Sequence, residues 1–374
     1  MTDDGSSELR SDTDGGSSER RSDRRTEAAR AVPRLTAVTG TGDRGLLVDT
    51  FGRIARDLRI SITDRCNFRC VYCMPEEGMQ FVPRTELLSY EEIARLATLF
   101  VELGVESIRL TGGEPTVRKD LPHLVEMLSS LRTPGGEQVE VSLTTNGSSL
   151  RRLAPRLAEA GLARVNVSLD SLKAERFFEI TRRDALAEVL DGIEAAVSAG
   201  LAPVKVNAVV VRHQNEDEII DFAAYGRSHG VQIRFIEFMP LDAGGTWTLE
   251  QVVSADEIVA AIDQVFPLEP VAHGAEPASR WRYRDGGGEI GVIPSVTKPF
   301  CGDCDRIRLT AEGQFRTCLF SIDELDLRGP LRAGADDEQL ADLLREAVYG
   351  KWAGHRIGKI DFVRPTRSMS QIGG

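Results

Sequence analysis

Residues 58–73 read LRISITDRCNFRCVYC, an alternating apolar strand that runs straight into a loop holding three cysteines. The strand half of that stretch recurs along the chain, at SIRLT (107–111), EVSLTT (140–145), RVNVSL (164–169), VKVNAVVV (204–211) and QIRFIEF (232–238). Such runs suit a pleated, buried surface. Amphipathic stretches stand between them. The first, 89–104, opens with Ser89 and Glu92 at capping-box spacing, repeats Ile93, Leu96, Ala97 and Phe100 at helical intervals, and stops at Gly104. Others cover roughly 118–131, 149–160, 185–199 and 216–229. Strand-then-helix alternation predicts an α/β fold with a parallel sheet and helices outside, doubly wound or curled as a barrel. Six such units fall short of the eight of a complete barrel.

The polar and glycine-rich residues gather at the C-terminal ends of these strands: Asp64, TGGEP (111–115), TTNG (144–147), SLD (168–170) and EFMP (237–240). Parallel α/β folds bind ligands at that edge, so one large site on one rim is expected. Residues 1–45 are rich in Ser, Gly, Asp and Arg and cannot bury a core, which predicts a disordered tail. Residues 46–250 carry the alternating pattern. Residues 251–374 form a smaller C-terminal domain by composition, with two hairpin-like stretches, YRDGGGEIGVI (283–293) and RIRLTAEGQFRTCLF (306–320), a helix near 336–347 and a basic end.

Composition excludes several functions. A net charge of −12 argues against a general nucleic-acid binder. No run approaches the ~18 apolar residues of a membrane helix, and no secretory h-region is visible, so a cytoplasmic protein is expected. The chain has six cysteines, which in a reducing compartment point to metal ligation or catalysis before disulfides.

Those six fall into two groups of three. Cys66, Cys70 and Cys73 follow the first strand with the spacing C-x-x-x-C-x-x-C, and Cys301, Cys304 and Cys318 lie in the C-terminal part. Thiolates suit zinc, copper(I) or iron–sulfur clusters. Three cysteines cannot close a four-coordinate site, whereas a [4Fe–4S] cluster held by three would leave one iron open to a small molecule. Zinc or unligated thiols remain alternatives on spacing alone, and the C-x-x-C of the second group resembles half of a zinc ribbon. Among the arginines, Arg59 and Arg109 stand out, because each is an isolated charge inside a short apolar strand. Arg306 and Arg308 alternate with apolar residues in RIRL and should share one face of a strand.

CNFRCVYC (66–73) with TGGEP resembles the signature of the radical S-adenosylmethionine superfamily. RDLRISITDRCNFRC (56–70), IRLTGGEP (108–115), LTTNG (143–147), NVSLDS (166–171), RFIEFM (234–239), FCGDCDRIRLT (300–310) and a terminal Gly-Gly narrow the resemblance to the GTP 3′,8-cyclase family, over roughly 46–374. The resemblance implies a partial (β/α)6 TIM-like barrel with a C-terminal domain carrying a second iron–sulfur cluster. It implies two [4Fe–4S] clusters, on Cys66, Cys70 and Cys73 and on Cys301, Cys304 and Cys318. S-adenosylmethionine would meet Tyr72, Gly113, Ser168 and Met239. GTP would meet Arg59, Arg109, Thr144, Lys205, Arg306 and Arg308. Arg306, Arg308, Gly373 and Gly374 are implied as catalytic. The implied activity is that of a lyase: a 5′-deoxyadenosyl radical takes the 3′ hydrogen of GTP, and C3′ closes on C8 of guanine, the first step of molybdenum cofactor biosynthesis.

The implied partners are GTP, a flavodoxin-like or ferredoxin-like electron donor, and cyclic pyranopterin monophosphate synthase downstream, with no nucleic acid and no membrane, in a monomer or homodimer. Bland readings stand beside these. Ser168 and Thr144 could bond the backbone at strand ends, Met239 could fill core, and Gly112 and Gly113 could serve a tight turn. Two other functions compete: another radical S-adenosylmethionine enzyme with an auxiliary cluster, such as one that modifies a peptide, and a zinc-dependent binding protein without redox chemistry.

Overall fold

In β1 (Asp57–Ser61) Leu58 and Ile60 are fully buried, and Arg59 between them points to the opposite face of the strand. That alternation organises the whole molecule, seen here in a computed structural model that describes residues 45–373 except 76–77, 243, 273–275 and 361. The N-terminal segment before residue 45 and Gly374 lie outside the described residues.

After β1 the chain runs α1 (Tyr90–Glu102), β2 (Ser107–Thr111), α2 (Leu121–Ser129), β3 (Glu140–Thr145), α3 (Leu150–Glu159), β4 (Arg164–Ser168), α4 (Ala174–Thr181), α5 (Leu186–Ser198), β5 (Lys205–Val210), α6 (Ile219–His229), β6 (Gln232–Glu237) and α7 (Ala255–Val265). The six expected β/α units are therefore present. The capping box on α1 forms as its spacing predicts: Glu92 N–H donates to Ser89 Oγ at 3.1 Å, and Ser89 N–H donates to the Glu92 carboxylate at 2.8 Å. The stretch from 118 onward becomes helical only at Leu121, because Asp120 takes a left-handed conformation at φ 60°. α4 has no counterpart in the sequence reading. Its N-cap residue is Lys173, which makes no side-chain cap, so the usual start signal is missing.

β7 (Leu268–Pro270), β8 (Ser279–Tyr283), β9 (Glu289–Ile293), β10 (Arg306–Leu309), β11 (Gln314–Arg316), β12 (Leu325–Asp326), α8 (Arg328–Arg332), α9 (Asp337–Tyr349) and α10 (Met369–Ile372) complete the chain. All twelve strands share one sheet, in the order β12-β11-β10-β1-β2-β3-β4-β5-β6-β9-β8-β7. Both hairpin-like stretches pair antiparallel as expected, β8 with β9 and β10 with β11. In addition, β10 pairs parallel with β1 and β9 pairs parallel with β6, so the C-terminal strands lengthen the parallel sheet at both ends. The order has two ends, β12 and β7, so the sheet curls as a partial barrel rather than closing.

One set of alternating side chains packs outward. Ile108, Leu110, Val141, Leu143, Val165, Val167 and Val206 are at most 1 % exposed in a core shared with Leu96, Phe100, Leu124 and Ile193 of the helices. The other set points into the curl, and there the register sets the neighbours. Arg308 pairs with Arg59, Arg59 with Arg109, and Arg109 with Ser142. Three guanidinium side chains thus stem from adjacent strands, which lie ~4.8 Å apart.

Candidate active site

The cysteine loop 64–74 is held by packing on one side and by glycine contact on the other. Phe68 is buried edge-on against Phe177 of α4 at 5.9 Å, and the amides of Arg69 and Val71 donate to the carbonyls of Thr181 and Ile180 at 3.0 and 2.9 Å. On the other side, Gly113 N–H donates to Thr63 O at 2.7 Å, and a Cβ at Gly113 would stand 2.4 Å from Arg65 O. Only glycine allows that approach. Glu114, buried in the same turn, accepts from the amide and hydroxyl of Thr116, from Thr145 Oγ1 and from Asn146 N–H, at 2.6–3.0 Å. One carboxylate thereby ties the β2 turn to the β3 turn.

A single cavity is lined by all six cysteines. Its volume is about 290 Å³, at the low end of the roughly 300–1,000 Å³ of small-ligand sites, and it opens to a wide mouth. Tyr72, Gly113, Ser168 and Met239 line it, as do Arg59, Arg109, Thr144, Arg306 and Arg308. Lys205 and Gly373 are placed differently. Lys205 is 5 % exposed, in register beside Asn166 on β4 and Gln232 on β6. Gly373 turns its carbonyl to Arg308, whose Nη1 donates to it. Gly374 lies outside the described residues.

Among the described residues no three His, Cys, Asp or Glu side chains are placed to share one metal ion. The donor sets fit a cluster, which spreads its thiolates over separate irons. Burial pushes the Cys66 thiol up to about 11 and Cys73 up to about 12 and raises Cys70 well above its ordinary value, with the neighbouring thiols and the charges of Glu114 and Asp170 adding to it. Buried thiols in such surroundings become thiolates only beside a metal cation. In the second triad burial raises Cys301 in the same way, whereas at Cys304 Arg306 and then Lys351 outweigh burial and the thiol falls below the ordinary value. Arg306 Nη2 lies 3.6 Å from Cys304 Sγ and stacks over the Phe300 ring at 4.5 Å.

The arginine row is costly on its own. Burial first, then Arg308 and Arg109, depress the Arg59 guanidinium well below its usual range. Burial raises Asp57, but Arg59, Arg109, Arg306 and Arg308 outweigh it, and its carboxyl ends below the usual carboxylate range. Arg59 Nε has no hydrogen-bond partner. The cluster thus keeps net positive charge in the cavity, with Asp57 and Glu140 as the acids that face it and one guanidinium donor unpaired.

Sequence reasoning missed Arg234, which lines the same cavity from β6, next in register to Asn207. The signal was available, since Arg234 is an isolated charge in an apolar strand like Arg59 and Arg109. It also missed Asp170, pushed up to about 6 by burial, which accepts from Tyr72 Oη at 2.5 Å and Val209 N–H at 2.8 Å. Nothing local in SLD marks that acid as the partner of Tyr72.

Residues 60–225 match the Radical SAM superfamily, and residues 231–357 match Molybdenum Cofactor Synthesis C. The GTP 3′,8-cyclase of Corynebacterium glutamicum (strain R) is 50 % identical over 337 residues, covering 88 % of this chain and 89 % of that protein. That of Streptomyces coelicolor is 49 % identical over 333 residues, covering 88 % and 96 %. Among solved structures, Streptococcus suis SuiB bound to S-adenosylmethionine superposes with a TM-score of 0.54 at 13 % identity, over 80 % of this chain and 74 % of that one, a likeness of fold alone.

Proposed function

The chain belongs to the GTP 3′,8-cyclase family of radical S-adenosylmethionine enzymes, and we propose that its residues divide the reaction between the two ends of one cavity. The activity is the cyclisation of GTP to 3′,8-cyclo-7,8-dihydro-GTP, the first step of molybdenum cofactor biosynthesis. The observation that carries the division is the row Arg308, Arg59 and Arg109, lining a cavity that reaches both cysteine triads.

At the radical-forming end, Cys66, Cys70 and Cys73 would hold a [4Fe–4S] cluster, which with S-adenosylmethionine supplies the 5′-deoxyadenosyl radical. Gly113 admits the β2 turn close to that loop, and Asp170 fixes the Tyr72 ring. Tyr72, Gly113, Ser168 and Met239 are the proposed contacts of S-adenosylmethionine.

At the substrate end, Cys301, Cys304 and Cys318 would hold a second [4Fe–4S] cluster that meets the guanine. Arg59, Arg109, Arg306 and Arg308 neutralise the triphosphate with planar forks. Thr144 adds a hydroxyl, and Lys205 and Arg234 reinforce the charge. Gly373, with its carbonyl on Nη1 of Arg308, orients that guanidinium towards the nucleotide, and Gly374 shares its catalytic role. Arg306 and Arg308 assist reduction of the cyclised nucleotide radical to the product. An electron donor of the flavodoxin or ferredoxin kind serves the first cluster, and cyclic pyranopterin monophosphate synthase receives the product in the cytoplasm. Among the described residues no helix is long and apolar enough to cross a membrane.

The test is anaerobic incubation of the reduced, iron-reconstituted protein with S-adenosylmethionine and GTP. Formation of both 5′-deoxyadenosine and the cyclised nucleotide is expected. Deoxyadenosine without a GTP product would sink the substrate assignment.

A further inference from the structure

The loop 351–355 encloses the second cysteine triad from behind. Lys351 is 5 % exposed, and its Nζ donates to Cys304 O at 2.8 Å and Arg306 O at 3.0 Å. Arg53 stitches the same loop to the Cys301 end of the turn that carries Cys301 and Cys304. It donates from Nη1 to Cys301 O at 2.5 Å and Ala353 O at 2.9 Å, and from Nη2 to Trp352 O at 2.5 Å. Gly354 packs directly on Cys301, where an added Cβ would stand 2.7 Å from the Cys301 Cβ. The ammonium therefore cannot swing away from the triad.

Its charge is also uncommitted. The charged groups that face Lys351 include Cys304, Arg53, Cys318, Asp49 and Asp305. Asp49 is already taken, with Oδ2 2.6 Å from Arg53 Nε. Besides the Asp305 carboxyl, which feels the same charge, what remains opposite the ammonium is thiolate. The first triad has the contrary surroundings, with the carboxyls of Glu114 and Asp170 nearby. Reduction adds negative charge to a cluster, and its potential follows the net charge and hydrogen bonding around it.

Resting on the reading that Cys301, Cys304 and Cys318 hold a second cluster, we propose that Lys351, locked in place by Arg53, is a positioning residue that raises that cluster's reduction potential. The ammonium touches neither nucleotide nor iron. It acts through the Cys304 backbone and through its fixed charge, making the second cluster easier to reduce than a neutral side chain would allow.

The experiment uses full-length protein reconstituted anaerobically, with iron counted and both clusters followed by electron paramagnetic resonance during a redox titration. Lys351→Met is compared with Lys351→Arg. Both variants should keep about eight irons. In Lys351→Met the reduced-to-oxidised ratio of the second cluster at fixed potential should fall at least tenfold, about 59 mV for one electron. The first cluster's transition should stay put, and Lys351→Arg should restore the second. An unchanged second transition overturns the inference, as does an equal shift of both. If Lys351→Met loses the second cluster, the titration is run on Lys351→Gln. Loss from both neutral variants would make Lys351 a clamp only and overturn the inference as well. About four irons in the unmodified protein would instead remove the second-cluster reading on which the inference rests.

Discussion

At Gly373 the backbone takes φ 84°, and an added Cβ would stand 2.6 Å from Ser61 Oγ and 2.8 Å from Thr111 Cγ2. Gly373→Ala combines a disfavoured left-handed φ with two clashes, so the carbonyl must leave Arg308. Turnover should fall at least tenfold while iron content stays unchanged, measured as cyclised product per cluster. Lys205 offers a pH test at the same scale. Burial first, then Arg234 and Arg164, lower its ammonium to about 7. Above that pH the free protein holds it neutral, and a bound triphosphate favours the charged form. Nucleotide binding should therefore take up a proton at pH 8 and weaken between pH 7 and 9, as calorimetry in buffers of different ionisation enthalpy would show. Lys205→Met should abolish that uptake, and an uptake that persists would place the proton elsewhere. Arg59 and Arg109 were legible as isolated charges in apolar strands. Their adjacency was not, because register is set between strands and not within one.

Among the elements, the βα turns are stiffened by buried carboxylates that collect backbone donors. Glu114 spans the turns after β2 and β3, and Glu237, fully buried at the end of β6, accepts from the amides of Ala255, Val296 and Thr297. Glu114→Ala strands four donors, including two backbone amides. With ~1.5–3 kcal/mol for a single hydrogen bond to a charged group and partial recovery by water, the loss should be about 3 kcal/mol. Chemical denaturation of the reconstituted protein checks it, and a change below 1 kcal/mol would mean that the turns hold without the clamp. Ser89→Ala should cost about 1 kcal/mol by removing half of the α1 capping box. That box was readable because both partners lie three residues apart. α4 was not, since it starts without a cap, yet it is the helix against which the first cysteine loop hydrogen-bonds.

Over the whole molecule, the sheet brings the two cysteine triads to one cavity, and each triad can be tested without the other. Cys318→Ala should lower iron from about eight to about four per chain, leave the first cluster intact and abolish cyclisation. Turnover retained in that variant would reduce the second triad to a structural site. The sequence by itself determined the six β/α units, the rim on which polar residues collect, and the two groups of three cysteines. Each of these is written in spacing that a short stretch of chain carries: period two, period 3.6, or a few residues between ligands. Only the tertiary structure decided that β10 docks parallel beside β1, which brings Arg308 next to Arg59 and Arg109. It also decided that Lys351 and Arg53 close behind Cys301 and Cys304. Partner choice between distant segments depends on which faces the rest of the fold leaves to be covered, and no local pattern encodes that.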